Sequence, residues 1–197
     1  MVTSRDATIE WKVINEETKQ KMAYRYLGNT GIKVSVIAFG SMTIHSVNML
    51  FGLPDQGAFN EEQQKDLNDL VKYAFSKGVN TFSTAEFYDY GHHEESLGIA
   101  LKNLGVPRKD YVVINKLLKF GQGPNDHGLS RKHIIEGMRN SLKRLQMDYV
   151  DVVLAARPDP TTPLEETVRA FSWLVDQGLI HYWGTSMWPP ALVERAC

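Results

Sequence analysis

The sequence predicts an α/β fold: a parallel sheet bent toward a (β/α)8 barrel, incomplete at about five β/α units and entered through an N-terminal β-hairpin. Three observations carry this. Short apolar runs alternate with amphipathic stretches of helical period from residue 34 onward, the pattern of a parallel sheet with helices packed on it. No glycine-rich phosphate loop follows the first strand: FGSMTIH has one glycine where G-x-G-x-x-G needs three, so a barrel is favoured over a doubly wound nucleotide-binding sheet. The chain has 197 residues, against roughly 250 for a complete barrel of this type.

The elements follow in order. Residues 1–22 are polar without a clear period and read as a tail; residues 23–197 read as one partial barrel domain. Tyr24 to Val36 reads as a hairpin around Gly28-Asn29-Thr30-Gly31. Its second arm is expected to continue as a strand from Val34 to Phe39. Leu67, Leu70, Val71, Ala74 and Phe75 fall at helical spacing, with an N-cap near Asn60 and a stop at Gly78. Val79–Thr84 is the next strand. Leu97, Ala100, Leu101 and Leu104 form a second helical stripe, and Tyr111–Lys116 a strong strand. Ser130 caps a helix that turns Ile134, Ile135, Met138, Leu142 and Leu145 to one side. Val150–Ala155 is a strand, Pro163 opens a helix with Leu164, Val168, Phe171 and Val175 inward, and Ile180–Ser186 is the last strand. Pro189-Pro190 then opens a final helix.

About five units leave two unpaired strand edges and an interior uncovered on one side. The expected consequences are an unstable fragment, relaxation to an open sheet, or self-association that covers the edges.

Composition excludes several function classes. The formal net charge is −1, so no global field favours nucleic acid or anionic membranes. The basic helix of Arg131, Lys132, Arg139, Lys143 and Arg144 reads as a solvated outer face rather than a nucleic-acid patch. The single cysteine, Cys197, cannot form an internal disulfide. The N-terminus lacks the apolar core of a signal peptide, and no apolar run approaches the roughly 20 residues of a membrane span. A cytosolic location is expected. His92-His93-Glu94-Glu95 could suggest a metal, but adjacent residues do not converge and no further ligand spacing follows, so it reads as a solvated loop. Gly121-Gln122-Gly123 lacks a third glycine in step and opens no helix.

Several separated stretches, in order, resemble the aldo-keto reductases. They are YRYLGNTGIKVS, NTFSTAEFYDYGHHEESLG, VVINK, SLKRLQMDYVDVVLAARPDPTTPLEETVRAF and YWGTS. GLSRKHIIEG and the RPDP to EETVRA run look most like the voltage-gated potassium channel β-subunit branch. The resemblance covers roughly residues 23–197 and implies a C-terminally truncated (β/α)8 TIM barrel. It also implies NADP(H) at the C-terminal face and hydride transfer to a small carbonyl substrate. In that chemistry a tyrosine donates the proton, a lysine cation eases its release, an aspartate holds the lysine, and a histidine or asparagine orients the carbonyl.

Carried over, the tyrosine is Tyr88, with Tyr90 a rival that the spacing disfavours, and the lysine is Lys116. The other two catalytic positions depart: Ser83 stands for the aspartate and Ala156 for the histidine or asparagine. Serine supplies no charge and alanine no hydrogen bond, so weak or lost activity is expected. Glu86 or Asp89 could restore an acidic partner. The cofactor positions are Ser41 and Met42 near the nicotinamide, Ser186 on its carboxamide, and Met187 where the family has arginine. Ser41 and Ser186 could also simply satisfy loop backbones. The resemblance further implies loops beyond residue 197 for the adenosine and 2′-phosphate. The alternative function is a non-catalytic regulatory subunit that binds the cytosolic domain of a potassium channel.

Overall fold

The computed structural model describes residues 22–44 and 57–197. The expected tail therefore lies outside the described residues, except for Met22.

The hairpin forms as expected. Strands β1 (Tyr24–Tyr26) and β2 (Lys33–Ser35) pair antiparallel, with Tyr24 opposite Ser35. It docks on the N-terminal end of the main sheet through polar contacts. The Tyr24 hydroxyl donates to the carbonyl of Gly78 at 2.8 Å, and the Ser35 N–H donates to Asn80 Oδ1 at 2.7 Å. The hairpin does not run on to Phe39. Ser35 Oγ donates to the carbonyl of Ile37 at 2.6 Å, and that local bond turns the chain. Val36 and Ile37 are left 52% and 61% exposed. The strand restarts as β3 (Phe39–Gly40) in a different sheet.

That sheet has five parallel strands in sequential order: β3, β4 (Thr81–Ser83), β5 (Val112–Leu117), β6 (Val150–Ala155) and β7 (Ile180–Thr185). Sequential order with a helix on each crossover from β4 onward is the arc of a barrel; a doubly wound sheet would reverse direction at a switch point. Among the described residues the arc is not closed: β3 and β7 each have one unpaired edge.

The helices are α1 (Glu61–Ser76), α2 (His92–Asn103), α3 (Arg131–Leu145), α4 (Leu164–Asp176) and the short α5 (Pro190–Ala196). Their ends follow the sequence signals. Asn60 and Gln63 form a reciprocal capping box on α1, satisfying two orphan donors. Ser130 Oγ accepts from the His133 N–H at 3.2 Å to start α3. Gly78, at φ +90°, supplies the left-handed residue just past α1.

The core lies between the sheet and its helices. Phe82, Val113, Leu117, Val153 and Ala155 point from the strands into Leu67, Leu97, Leu101, Ile134, Met138, Phe171 and Leu174. Truncating a fully buried residue such as Phe82 to alanine typically costs ~3–5 kcal/mol. The opposite face of the strands, which a closed barrel would enclose, carries Ser83, Ile114, Lys116, Leu154 and Tyr182, all only partly buried. Period 2 puts these residues on the inner face.

Two sequence readings are corrected here. His92–Glu95 is not a solvated loop: it is the first turn of α2, with His93 and Glu94 at most 1% exposed. Glu94 accepts from Asn115 Nδ2 at 2.9 Å and from Arg144 Nε at 2.5 Å. The basic helix is accordingly not solvated throughout. Arg144 turns inward to pair with Glu94 and lies over the ring of Phe120. Single-sequence patterning cannot show this, because a buried ion pair is specified by a partner about fifty residues away.

Candidate functional site

Parallel strands bring their last residues to one rim, and Ser83, Lys116 and Ala155 end or nearly end three neighbouring strands. A cavity of about 440 Å³ opens there, in the size range of small-molecule sites. Its lining includes Met42, Tyr88, Lys116, Ala156, Ser186 and Met187.

Lys116 is the centre of the arrangement. Its ammonium donates to Ser83 Oγ at 2.8 Å and to the backbone carbonyl of Thr84 at 2.9 Å. It also lies over the ring of Tyr88, 5.2 Å from the centroid. Both acceptors are neutral, and among the described residues no carboxylate pairs with this cation. Burial therefore pulls the lysine down from its ordinary 10.5 to about 8. Tyr88 is 9% exposed, and burial pushes its phenol up. Both shifts oppose proton transfer from tyrosine: the donor is made less acidic, and the cation beside it is made easier to lose.

Tyr88 reaches this position through an unusual loop. After β4 the chain stays on the sheet for three more residues: the Thr84 N–H donates to the Ile114 carbonyl at 2.9 Å and the Glu86 N–H to the Lys116 carbonyl at 3.1 Å. It then turns through Tyr88–Gly91, where Asp89, Tyr90 and Gly91 are all left-handed, at φ 44°, 54° and 90°. The Phe87 and Tyr88 rings meet edge to face at 5.1 Å. Tyr90 is not on the cavity lining, in keeping with the choice of Tyr88.

The remaining positions divide. Ala156 lines the cavity and offers it no polar side-chain atom; its N–H donates to the Leu117 carbonyl at 3.1 Å. Ser186 lines the cavity at the end of β7, with its N–H on the Ala155 carbonyl at 2.9 Å. Met187 is 72% exposed at φ 61°, and Met42, also on the lining, is 38% exposed. Ser41 does not join them. It is fully buried, its Oγ donates to Thr84 Oγ1 at 2.9 Å, and it is absent from the lining. Its hydroxyl is taken up by the Thr84 side chain rather than by a loop backbone or the cavity.

Neither suggested acidic substitute reaches Lys116. The carboxylate of Glu86 accepts from the Leu118 N–H at 2.6 Å and meets His133 Nε2 at 2.9 Å, on the helix side of the sheet. Asp89 is 1% exposed and its carboxylate has no hydrogen-bond partner among the described residues.

Sequence reasoning missed Lys119 and Arg157, two exposed cations that also line the cavity. A positional signal existed: each lies two residues past the end of a strand, at the rim where barrel loops gather.

Comparison with known proteins agrees with this fold. The Aldo/keto reductase family model matches residues 36–197. A "probable voltage-gated potassium channel subunit beta" of Oryza sativa subsp. japonica is 47% identical over 175 residues, 89% of this chain and 49% of that protein. The Arabidopsis thaliana protein of the same description is 44% identical, again over 89% and 49%. A "putative voltage-gated potassium channel subunit beta" of Schizosaccharomyces pombe is 43% identical over 90% and 48%. The chain thus spans about half the length of the curated relatives it matches. Among solved structures, a thermostable aldo-keto reductase in complex with the inhibitor epalrestat superposes with TM-score 0.73 at 33% identity, covering 89% of this chain and 57% of that one. The holo form of a Bacillus halodurans aldo-keto reductase gives TM-score 0.69 at 28% identity, over 88% and 53%. The matched span and the arc of parallel strands agree: this chain belongs to the aldo/keto reductase family.

Proposed function

We propose that the rim site is a weakened NADP(H)-dependent carbonyl reductase centre. The observation that carries the reading is Lys116 lying over Tyr88 at the C-terminal ends of the strands, 5.2 Å from the ring centroid. The cavity suits the nicotinamide end of the cofactor. It is about 440 Å³ and mixed in lining, with Ser186 and Met42 among its lining residues and Lys119 and Arg157 as its exposed cations. The cofactor, when bound, supplies hydride to the substrate's carbonyl carbon.

The chain's own residues do the rest. Tyr88 Oη gives its proton to the carbonyl oxygen as negative charge develops there. The Lys116 cation lowers the cost of the phenolate left behind. Ser83 and the Thr84 carbonyl hold Lys116 in place but add no charge to keep it protonated. Ala156, just past β6, leaves the substrate's oxygen without a side-chain donor there. Both departures lower the rate without removing the proton donor.

The test is reduction of a reactive aromatic aldehyde with NADPH by the purified chain and by Tyr88→Phe. Slow turnover abolished by Tyr88→Phe supports the reading. Equal rates in the two proteins refute it.

A second reading, a regulatory partner of a potassium channel's cytosolic domain, draws on the 43–47% identity to proteins named as channel β subunits. It needs no turnover, and the residues at 83 and 156 suit it equally. We place either role in the cytosol. Co-purification with a channel's cytosolic domain tests the second reading.

A further inference from the structure

We infer that Glu86, clamped by His133, is a positioning residue that sets Tyr88 over Lys116. The inference deepens the reductase reading and rests on it for any effect on rate, though its structural content can be measured without turnover.

The argument starts from the ladder between β4 and β5. Thr84 and Glu86 donate their N–H groups to the carbonyls of Ile114 and Lys116. On a regular parallel ladder the next bond would run from the Leu118 N–H to the backbone carbonyl of Glu86. Instead the Leu118 N–H donates to the Glu86 side chain, Oε1, at 2.6 Å. The carboxylate replaces the main chain as acceptor. That frees the backbone to leave the sheet at Phe87 and enter the left-handed turn at Asp89–Gly91. Tyr88 sits on this departure.

The carboxylate must itself be fixed; His133 holds it and Gly137 leaves room for it. His133 Nε2 lies 2.9 Å from the same Oε1, in a pair whose side chains are 5% and 0% exposed. Gly137, one turn further along α3, has no side chain because the space is taken: a Cβ there would come 2.9 Å from Glu86 Oε2. Glycine inside a helix costs ~1 kcal/mol relative to alanine, so α3 gives up helix stability at the point where this carboxylate rests.

Burial pushes His133 down, but the Glu86 hydrogen bond and charge outweigh it, with smaller support from the Asn125 carbonyl and Asp126, and the imidazole ends up raised. Glu94, itself paired with Arg144, is a further charge acting on Glu86. Glu86 makes no bond to the Lys116 ammonium, so its action on the site is through the loop.

The experiment uses the full chain, isotope-labelled, and reads the ring-current shift of the Lys116 side-chain protons, which report their place over the Tyr88 ring. Glu86→Ala should lose that shift while the amide signals of β5 and β6 persist. Glu86→Gln, which keeps an acceptor oxygen, should retain it. If Glu86→Ala does not fold, Gly137→Ala displaces the carboxylate without removing it and should reduce the shift. In turnover, the displaced variant should lose at least tenfold in kcat with KM little changed. A folded Glu86→Ala or Gly137→Ala with the wild-type shift overturns the inference. A lost shift in a chain that never turns over aldehyde upholds the positioning role and refutes only the reductase reading.

Discussion

Replacing Ser83 with aspartate should convert a neutral clamp on Lys116 into an ion pair. Ser83 Oγ lies 2.8 Å from the ammonium. A carboxylate grown from the same Cβ puts its oxygens within ~4 Å, where two unit charges attract by ~4 kcal/mol at an effective dielectric of ~20. Desolvating the new carboxylate takes back several kcal/mol. The usual net effect of such a neighbour is a shift of ~1–3 units. Lys116 should therefore move from about 8 back toward its ordinary 10.5.

The sign can be checked on stability as well. In the parent chain the folded lysine is depressed, so the unfolded state holds the proton more tightly. Stability should rise as pH climbs from about 8 toward 10.5, by at most ~3 kcal/mol and by less after allowance for partial exposure. Ser83→Asp should flatten that rise. The assay is an NMR titration of the Lys116 side chain, with the pH profile of kcat/KM beside it. The alkaline limb should move up by roughly one unit or more. A folded Ser83→Asp whose Lys116 midpoint stays near 8 would refute the electrostatic account of the site.

Three further outcomes are expected. Ala156→Asn restores a donor at the substrate's oxygen and should raise kcat by ~2–10-fold, the worth of one neutral hydrogen bond; steady-state kinetics on one aldehyde checks it. Gly98→Ala should lower stability by ~1–3 kcal/mol in a urea melt despite alanine's better helix propensity, because the new Cβ would meet the Leu145 carbonyl oxygen of α3, 2.4 Å away. Asp159 accepts from the Leu129 and Thr161 N–H groups and from the Thr161 and Thr162 hydroxyls. Burial pushes this carboxyl up, but the four donors outweigh it and hold it at about 2. Asp159→Asn should cost ~1–3 kcal/mol at neutral pH. The gap between the two proteins should close as acid protonates the parent carboxylate through about 2.

The residues explain why some of this was legible in the sequence and some was not. Helices with a cap and a single apolar stripe, such as α3 with Ser130, Ile134, Met138 and Leu145, are determined locally, and their positions follow from period alone. So do the strands of β5 to β7, whose apolar runs are flanked by clear breaks. The arc of sequential strands follows from strand–helix alternation once the phosphate loop is ruled out. The run from Val34 to Phe39 does not form one strand because a single side-chain bond, Ser35 to the Ile37 carbonyl, breaks a segment whose Val, Ile and Phe favour strand. The burial of His93 and Glu94 was invisible because charge reads as exposure until its partner Arg144 is placed.

Motif order singles out Tyr88, Lys116, Ser83, Ala156, Ser186 and Met187, and the structure brings all six to one rim. Ser41 shows the limit of that method. The motif gives its position but not the direction of its hydroxyl, which Thr84 captures. Glu86 was read only as a possible charge for Lys116, whereas the geometry turns it to the other side of the sheet.

The most direct test of the account is an NADPH titration of the purified chain, following quenching of its tryptophan fluorescence together with a thermal melt. The account predicts saturable quenching and a raised melting temperature, since ligand at a hundredfold excess over Kd stabilises by ~2.7 kcal/mol. A cooperatively melting chain that neither quenches nor gains stability would contradict it.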